Sequence, residues 1–277
     1  MHRESPLVSI IMPYNRCDKF FEHALKSITN QSYKNLEILL LDHQTVDKNI
    51  DATFTDSRIE VVNCRKLKSL SEVLNCGIQK AHGKYIARMD ADDISHKNRI
   101  AAQLDFLEAN TNIGILGTGI EVLTPEGEIE VRLQPEHHEA ILKKMIYNNP
   151  FFHPTVMFRR SVLGDNLSPY NRFFNRAQDF ELWTRLLFTT QGANLPQALL
   201  TYREHPLQSG KKIPYESVCF FRLAQLFLYL IPLKRNELNL NHRYGVRVAK
   251  ELVINSTKLA MKFLDRRAKT VTRRSRQ

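Results

Sequence analysis

Short apolar runs alternate with amphipathic segments over the first third of the chain. The runs predict strands at residues 8–12, 36–41, 59–63 and 85–89. Between them, apolar residues recur every three or four positions at 19–29 and 70–82, which predicts two helices, and Gly83 gives a stop signal for the second. This strand–helix order predicts an α/β fold with a parallel sheet and helices on its faces.

Polar residues follow three of the predicted strands. Residues 13–15 (Pro13, Tyr14, Asn15) follow the first strand, Asp42 follows the second, and residues 90–93 follow the fourth. In open parallel sheets, ligands bind outside the carboxyl ends of the strands. We therefore expect these three groups to meet at one edge of the sheet and to form a binding site.

The rest of the chain has a less regular pattern. It predicts helices at residues 97–109, 136–147 and 179–189, and strands at 113–123, 128–133, 155–158 and 198–203. Beyond Pro206, two more helices are predicted at 215–231 and about 241–264. The pattern as a whole predicts a mixed, mostly parallel central sheet flanked by helices, with a C-terminal helical extension.

The chain lacks the usual signals of secretion or membrane insertion. No stretch approaches the ~20 uninterrupted apolar residues of a spanning helix, and no signal-like apolar run precedes Pro13. The four cysteines include no CxxC pair, which favours a reduced compartment. We expect a soluble protein with a cytoplasmic location.

The positive charge is concentrated at the C-terminal end. The 277 residues have a formal net charge of +11, and residues 203–277 contain 17 Lys/Arg and 5 Asp/Glu, so the first 202 residues are close to neutral. A basic segment of this kind favours a polyanionic partner. Its interleaved apolar residues predict attachment to an anionic membrane surface. Nucleic acid is an alternative partner, but no recognised nucleic-acid-binding motif accompanies the charge. A third possibility is that the segment is a solvated basic helical face without a partner.

The acidic group after the fourth strand is the strongest chemical signal. Asp90, Asp92 and Asp93 lie within four residues, and their charges repel unless a hard cation neutralises them. Mg²⁺ or Mn²⁺ held by such carboxylates and by substrate phosphates is the usual arrangement. The alternative is structural, because Asp92 or Asp93 would also suit the N-terminus of the following helix.

Several motifs together resemble those of the family-2 glycosyltransferases of the GT-A fold. The motifs are residues 8–15 (VSIIMPYN), 30–38 (NQSYKNLEI), 75–93 (NCGIQKAHGKYIARMDADD), 153–160 (HPTVMFRR), 178–183 (QDFELW) and 202–206 (YREHP). The resemblance covers roughly residues 6–210. It implies a GT-A domain at 1–205, with a nucleotide-sugar-binding half at 1–93 and an acceptor half at 94–205, and it leaves 206–277 as a basic helical extension.

The resemblance also implies roles for individual residues. The residues expected to bind the nucleotide sugar are Pro13, Tyr14, Asn15, Asp42, Asn75, Arg88, Asp90 and Ala91. The expected metal ligands are Asp92, Asp90 and His205. Asp179 is expected to serve as the catalytic base. Without the resemblance, Asp179 reads as a helix cap, and a structural role for His205 is as well supported as a ligand role. Trp183 reads as a helix core residue or as a platform that stacks on a sugar.

These implications define a reaction. We expect an inverting, metal-dependent enzyme that moves one hexose from a nucleotide-diphosphate sugar, with UDP the favoured nucleotide, to a cell-envelope glycan or lipid-linked acceptor such as lipopolysaccharide. The Gln-x-x-Arg-Trp motif of processive synthases is absent, which favours one sugar per encounter. The enzyme is expected to be peripheral on the inner face of the cell membrane. The alternatives are a nucleotidyltransferase on a related fold and a basic polyanion-binding protein on an inactive transferase scaffold.

Overall fold

The computed structural model describes residues 5–43, 55–145, 148–172, 174 and 177–205. All of these belong to the first of two units into which the chain divides, Met1–Ser209. The predicted helices at 215–231 and 241–264 and the predicted extension at 206–277 lie outside the described residues. The domain boundary after residue 205 therefore stays a prediction.

The described residues form nine strands and five α-helices. The strands are β1 (Val8–Tyr14), β2 (Leu36–Asp42), β3 (Ile59–Asn63), β4 (Tyr85–Arg88), β5 (Ile94–Ser95), β6 (Ile113–Leu123), β7 (Ile129–Arg132), β8 (Met157–Arg159) and β9 (Gln191–Arg203). The helices are α1 (Lys19–Thr29), α2 (Leu70–Lys80), α3 (Arg99–Ala109), α4 (His138–Met145) and α5 (Gln178–Leu186). Two short 3₁₀ helices, His153–Thr155 and Arg160–Leu163, flank β8.

The strands join in one sheet in the order β3-β2-β1-β4-β8-β6-β9-β5, and β7 pairs with β6. The first four strands are parallel, as predicted. Beyond them, β8 lies antiparallel between β4 and β6, and β9 runs parallel to β6. The second half of the chain therefore extends the parallel sheet of the first half into a mixed sheet, which confirms the predicted α/β class.

Alternating residues of the strands fill two apolar layers. In β1, Ile10 and Met12 face one layer and Ile11 faces the other, and all three are almost completely buried. A strand that is buried on both faces reads as a continuous apolar run. This is why 8–12 and 36–41 were recognisable from the pattern alone.

Helices α1 and α2 begin at side-chain caps. Asp18 accepts hydrogen bonds from the first backbone N–H groups of α1, and Ser69 and Glu72 form a reciprocal capping box at α2. Gly77 allows α2 to lie close to the sheet, because a Cβ at this position would be 2.7 Å from a Leu41 methyl group. Both helices therefore start next to the carboxyl ends of the strands that precede them.

A buried polar cluster connects the two halves of the sheet. The side-chain amide of Gln31 donates to the carbonyl of His96 (2.9 Å) and accepts from the N–H of Ile100 (3.1 Å). Arg99, at the start of α3, donates to the carbonyl of Arg88 (2.7 Å). Burial lowers the pKa of Arg99 to about 9. The buried guanidinium of Arg99 thus fixes the backbone at the end of β4 through this hydrogen bond.

The predicted bounds need three corrections. β9 begins at Gln191 rather than at 198, because Pro196 lies at a register shift against β6 that interrupts the alternating pattern. Thr155 belongs to a 3₁₀ helix, and β8 starts at Met157. The two-residue strand β5 was not predicted, since two residues carry no periodicity. None of the described helices has the length and apolar character needed to cross a membrane.

Candidate active site

The carboxyl ends of β1, β2 and β4 meet at one edge of the sheet. Tyr14, the last residue of β1, lies beside Asp42, the last residue of β2, and Arg88 ends β4 next to Ile11 of β1. The three polar groups that follow these strands are therefore neighbours, as predicted. The sequence pattern correctly located this edge as the place where polar side chains collect.

The acidic group at this edge is tightly packed. Asp90, Asp92 and Asp93 each offer an oxygen within 4.8 Å of the others. Asp93 is fully buried, and one of its oxygens accepts a hydrogen bond from the N–H of Arg203 (3.1 Å). Its other oxygen has no hydrogen-bond partner among the described residues. The N-cap of α3 is Asn98, so the reading of Asp92 or Asp93 as the cap of this helix is wrong.

Burial and charge repulsion act together on this group. Burial raises the pKa of Asp93 well above its usual range, and the charges of Asp90 and Asp92 raise it further. Burial also raises the pKa of Asp90, whereas the guanidinium of Arg88 opposes that shift. A divalent cation would relieve both effects, and hard carboxylate oxygens are the ligands that Mg²⁺ and Mn²⁺ prefer. The donor set therefore fits such an ion.

His205 lies next to the acidic group. Its Nε2 is 2.9 Å from an oxygen of Asp92, although the two residues are 113 positions apart in the sequence. The ring stacks on Phe20 with centroids 5.2 Å apart. Its Nδ1 has no hydrogen-bond partner among the described residues. The structure thus brings together the predicted metal ligands Asp90, Asp92 and His205, and it adds Asp93, which was not among the predicted ligands.

Arg88 is the buried charge at the centre of the site. Its side chain is 2% exposed, and one guanidinium nitrogen is 2.5 Å from an oxygen of Asp90. Its Nε has no hydrogen-bond partner among the described residues. The positive charge also favours the ionised forms of Asp93 and Asp179. Arg88 therefore stabilises negative charge on both sides of the site.

Asp179 is a further acidic residue that interacts electrostatically with Arg88 and with Asp90. It lies in the first turn of α5, after Ala177, which has a left-handed backbone conformation (φ 58°). One oxygen accepts a hydrogen bond from the side-chain amide of Asn149 at 2.6 Å. Burial raises the pKa of Asp179, and hydrogen bonds from the N–H of Phe180 and from Asn149 oppose the shift. The N-cap of α5 is Ala177, so Asp179 is not the capping residue itself.

The predicted nucleotide-binding residues line the same edge in different environments. Tyr14 is buried against Phe21 (ring centroids 4.8 Å apart), Pro13 and Ala91 are half-buried, and Asn15 is exposed. Asp42 is buried and forms an ion pair with Arg65 at 2.8 Å. The structure shows that these residues lie at the same edge of the sheet. Their contacts with the nucleotide sugar stay predictions.

The side chain of Asn75 forms two hydrogen bonds within the fold that the sequence did not indicate. Its side-chain amide donates to the carbonyl of Tyr170 and accepts from the N–H of Tyr170, each at 2.8 Å. Asn75 thereby ties α2 to the segment that leads into α5. Its predicted contact with the nucleotide sugar stays a prediction.

Trp183 is a core residue. It has no exposed surface and makes edge-to-face contacts with Phe151, His153 and Phe158, with ring centroids 6.0–6.2 Å apart. The reading of Trp183 as a sugar-stacking platform is therefore wrong, and the core reading is confirmed.

Two further residues of the site were not expected from the sequence. Asn149, which contacts Asp179, lies in a segment without apolar periodicity. Arg203 donates its backbone N–H to Asp93, and its guanidinium carbon lies 5.1 Å from the centre of the Phe20 ring. Arg203 lies within the motif at 202–206 but was given no role there, and neither residue has a spacing that indicates chemistry.

Comparisons with known proteins agree with this geometry. Residues 9–179 match the sequence profile of Glycosyl transferase family 2. The O-antigen biosynthesis glycosyltransferase WbnJ of Escherichia coli is 32% identical over 213 residues, which cover 74% of this chain and 82% of WbnJ. An uncharacterized glycosyltransferase of Haemophilus influenzae is 28% identical over 240 residues, which cover 78% of this chain and 74% of that protein.

A solved structure has the same fold. The crystal structure of S. aureus TarS 1-349 in complex with UDP-GlcNAc superposes with a TM-score of 0.69 at 14% sequence identity, and the match covers 90% of this chain and 72% of that chain. At this level of identity the likeness concerns the fold. The mixed, curled sheet flanked by helices is the GT-A arrangement that the motifs implied.

Proposed function

The chain belongs to glycosyl transferase family 2 and is a glycosyltransferase, and we propose that it transfers one hexose from a UDP-sugar to a cell-envelope glycan or glycolipid acceptor with inversion at the anomeric carbon. One observation carries the proposal. A carboxylate group that fits a divalent cation (Asp90, Asp92, Asp93) and a separate carboxylate (Asp179) both interact electrostatically with the buried Arg88. This is the arrangement that a single displacement between a diphosphate and a hydroxyl group requires.

The nucleotide sugar is assigned to the edge formed by β1, β2 and β4. Pro13, Tyr14 and Asn15 would contact the uracil and the ribose, and Asp42 would read the base. Asn75, Arg88, Asp90 and Ala91 would line the rest of the donor site. The structure of TarS with UDP-GlcNAc supports a UDP-linked donor, and the O-antigen relative WbnJ supports an acceptor from the cell envelope.

The acidic end of the site would hold the metal ion. Asp90, Asp92 and His205 are the proposed ligands, and the oxygen of Asp93 that lacks a hydrogen bond lies within the same group. When bound, Mn²⁺ or Mg²⁺ supplies positive charge that stabilises the diphosphate leaving group. Arg88 adds a fixed positive charge on the same side.

The base end of the site would activate the acceptor. An acceptor hydroxyl is a weak nucleophile until a carboxylate takes its proton as the new bond forms. Asp179 would accept this proton while the hydroxyl oxygen bonds to the anomeric carbon and the bond from that carbon to the phosphate oxygen breaks. A single attack opposite to the leaving group inverts the configuration. Hydrogen bonds from Phe180 and Asn149 and the charge of Arg88 favour the ionised form of Asp179, which accepts the proton, and oppose the effect of burial on its pKa.

The basic residues at 203–277 support peripheral attachment to an anionic membrane. This segment has a net charge of +12 by formal count, whereas the residues before it are close to neutral. Near an anionic surface, each Lys or Arg contributes up to about 1 kcal/mol. We assign this role to the proposed extension at 206–277, which would place the enzyme at the inner face of the membrane, where a lipid-linked acceptor is exposed.

A nucleotide-binding experiment tests the proposal at its centre. UDP is titrated into the wild type and into Asp92→Asn, with Mn²⁺ or with EDTA. We expect tight binding only for the wild type with Mn²⁺, because Asp92 links the ion to the diphosphate. The matched control is Asp105→Asn, which removes an exposed carboxylate on α3 and should bind as the wild type does. Equal UDP affinity in all conditions would contradict the metal-bridged donor site.

A donor panel then tests the reaction itself. Wild-type protein is incubated with Mn²⁺ and a series of nucleotide-diphosphate sugars, and release of the nucleotide diphosphate is measured with and without candidate acceptors. We expect release from a UDP-hexose that increases when an acceptor is present. Release of pyrophosphate from a nucleotide triphosphate would indicate a nucleotidyltransferase instead.

A further inference from the structure

The side-chain amide of Asn149 uses both of its ends. Its Oδ1 accepts a hydrogen bond from the N–H of Phe151 (3.2 Å), and its Nδ2 donates to a carboxylate oxygen of Asp179 (2.6 Å). A backbone N–H is always a donor, so the end of the amide that faces Phe151 must be the oxygen. The NH₂ group therefore faces Asp179 and favours its ionised form.

The loop that carries Asn149 is held on several sides. The buried side chain of Asn194, in β9, donates to the carbonyls of Pro135 (2.7 Å) and Pro150 (3.1 Å). The N–H of Asn149 donates to the side chain of Asn148 (2.9 Å). Asn149 is thus fixed from both the backbone and the side chain. Its side-chain amide is therefore already oriented toward Asp179, which lies 30 positions further along the sequence.

We propose that Asn149 is a positioning residue that holds the Asp179 carboxylate in the orientation needed to take the proton of the acceptor hydroxyl. This inference rests on the proposed function, because it assigns Asn149 a task in the same reaction. Asn149 acts through Asp179 and is not assigned a contact with the substrate. A hydrogen bond from an amide fixes the rotation of a carboxylate, and a small error in the placement of a reacting group costs a large factor in rate.

The neighbours of Asp179 define what the loss of this hydrogen bond would do. Within the described residues, the charged or titratable groups that face Asp179 are Arg88 on β4, Asp90 after β4, and Tyr170 before α5. Arg88 favours the ionised carboxylate, whereas the charge of Asp90 disfavours it. Removing the Asn149 donor leaves Arg88 and the backbone N–H groups of Phe180 and Asp179 to stabilise the carboxylate, so the pKa of Asp179 should rise further.

Two substitutions separate the hydrogen bond from the shape of the side chain. Asn149→Leu keeps a similar volume and removes the donor, and Asn149→Asp keeps the shape and places a second carboxylate against Asp179. The matched control is Asn112→Leu, which removes an exposed amide whose side chain donates a hydrogen bond to the side chain of Gln191 (2.8 Å). The readouts are kcat against pH at saturating donor and acceptor, the affinity for UDP with Mn²⁺, and the melting temperature.

We expect kcat of Asn149→Leu to fall roughly 10- to 100-fold while UDP affinity stays unchanged. The acidic limb of its pH profile should move upward by about one pH unit, and that of Asn149→Asp should move further. The metal ligands are the same in all proteins, so a difference between the profiles belongs to Asn149. The control should match the wild type. A rate loss accompanied by an unshifted pH profile would mean that Asn149 only supports the fold, and the proposal would be overturned.

A second measurement does not depend on activity. Carboxyl-carbon NMR of aspartate-labelled protein, with the Asp179 signal assigned through Asp179→Asn, gives the pKa of Asp179 directly. An unchanged Asp179 pKa in Asn149→Leu overturns the proposal. Failure of the proposed function has a different signature, because Asp179→Asn would then keep wild-type transfer. Failure of the Asn149 proposal alone leaves Asp179→Asn inactive and Asn149→Leu fully active.

Discussion

The metal end (Asp90, Asp92, Asp93) and the base end (Asp179) of the site hold buried and half-buried carboxylates in different ways. At the metal end, Asp90, Asp92 and Asp93 present oxygens within 4.8 Å of one another, and their mutual repulsion adds to the effect of burial. At the base end, Asp179 stands apart, and hydrogen bonds from Phe180 and Asn149 offset its burial. One end concentrates negative charge, and the other end stabilises a single negative charge.

The difference shows which end needs an ion from solution. At the base end, hydrogen bonds and Arg88 partly offset the effect of burial on Asp179, whose pKa stays raised. At the metal end, Arg88, Arg99 and Arg203 each interact with one or more of the three carboxylates. The pKa of Asp93 is nevertheless raised well above its usual range, so these cations do not fully stabilise the ionised group. Removal of a divalent ion should therefore affect the metal end and leave the base end unchanged, and each variant below tests this separation.

The largest effect is expected at the base end. Asp179→Asn keeps the shape of the side chain but cannot accept a proton, so kcat should fall by roughly 10²- to 10⁴-fold, while UDP affinity with Mn²⁺ stays at the wild-type value. Steady-state kinetics and a UDP titration on the same samples measure both quantities. The control is Glu181→Gln on the same helix, which removes only a surface ion pair with Arg185. A loss of only a few-fold for Asp179→Asn would show that the two ends are not functionally distinct.

The next largest effect is expected for Arg88, which interacts with both ends. Arg88→Met removes the ion-pair partner of the half-buried Asp90, which should destabilise the protein by about 1–3 kcal/mol. Urea denaturation of the metal-free protein measures this loss. Arg132→Met breaks an exposed pair with Glu130 and should cost less than about 1 kcal/mol. Similar losses for the two variants would mean that the central charge does not support the site.

Thermal unfolding tests the separation without a substrate. Mn²⁺ at 100 times its dissociation constant stabilises the folded state by about 2.7 kcal/mol, which corresponds to a rise in Tm of roughly 5–10 °C. We expect this rise in the wild type and in Asp179→Asn, and we expect no rise in Asp92→Asn. If Asp179→Asn also loses the response, then both ends contribute to metal binding and the comparison fails.

The smallest effect per residue is expected away from both ends. Reversal of Arg266, Arg267, Arg273 and Arg274 to Glu should weaken binding to anionic liposomes by up to about 1 kcal/mol for each charge removed. The release of UDP from the donor should stay the same, because the described site uses none of these residues. Flotation at increasing salt and anionic-lipid content measures the effect. If liposome binding changes neither with salt nor with the substitutions, this segment has a different role.

The sequence predicted the first half of the fold more accurately than the second. In the first half, the bounds of α1 and β3 match the pattern, and α1 buries one apolar face. In the second half, the bounds of β6 match as well, because this strand is buried along most of its length. The start of β9 was misplaced, since Pro196 and the register shift break its alternation. The alternating strands and helices of the parallel part produce a regular apolar pattern in the local sequence. The antiparallel strands of the second half depend on contacts between residues that are distant in the sequence.

The candidate site shows the same limit. The acidic residues were recognisable because they follow a strand directly. The contact of Asp92 with His205 and that of Asp179 with Asn149 depend on loops whose paths no local pattern specifies. His205 was identified only through the family resemblance. Asn149 had no signal at all, because a single amide in an irregular segment resembles any surface residue.

The hydrogen bond between Asp92 and His205 also has a consequence for synthesis of the chain. The two residues are 113 positions apart, and at roughly 5–20 residues per second the ribosome delivers His205 about 6–23 s after Asp92. β9, which leads to His205, lies between β6 and β5 in the sheet. A nascent chain that has not yet reached β9 therefore lacks the strand that joins β6 to β5. It also lacks His205, so the site around the acidic residues is incomplete.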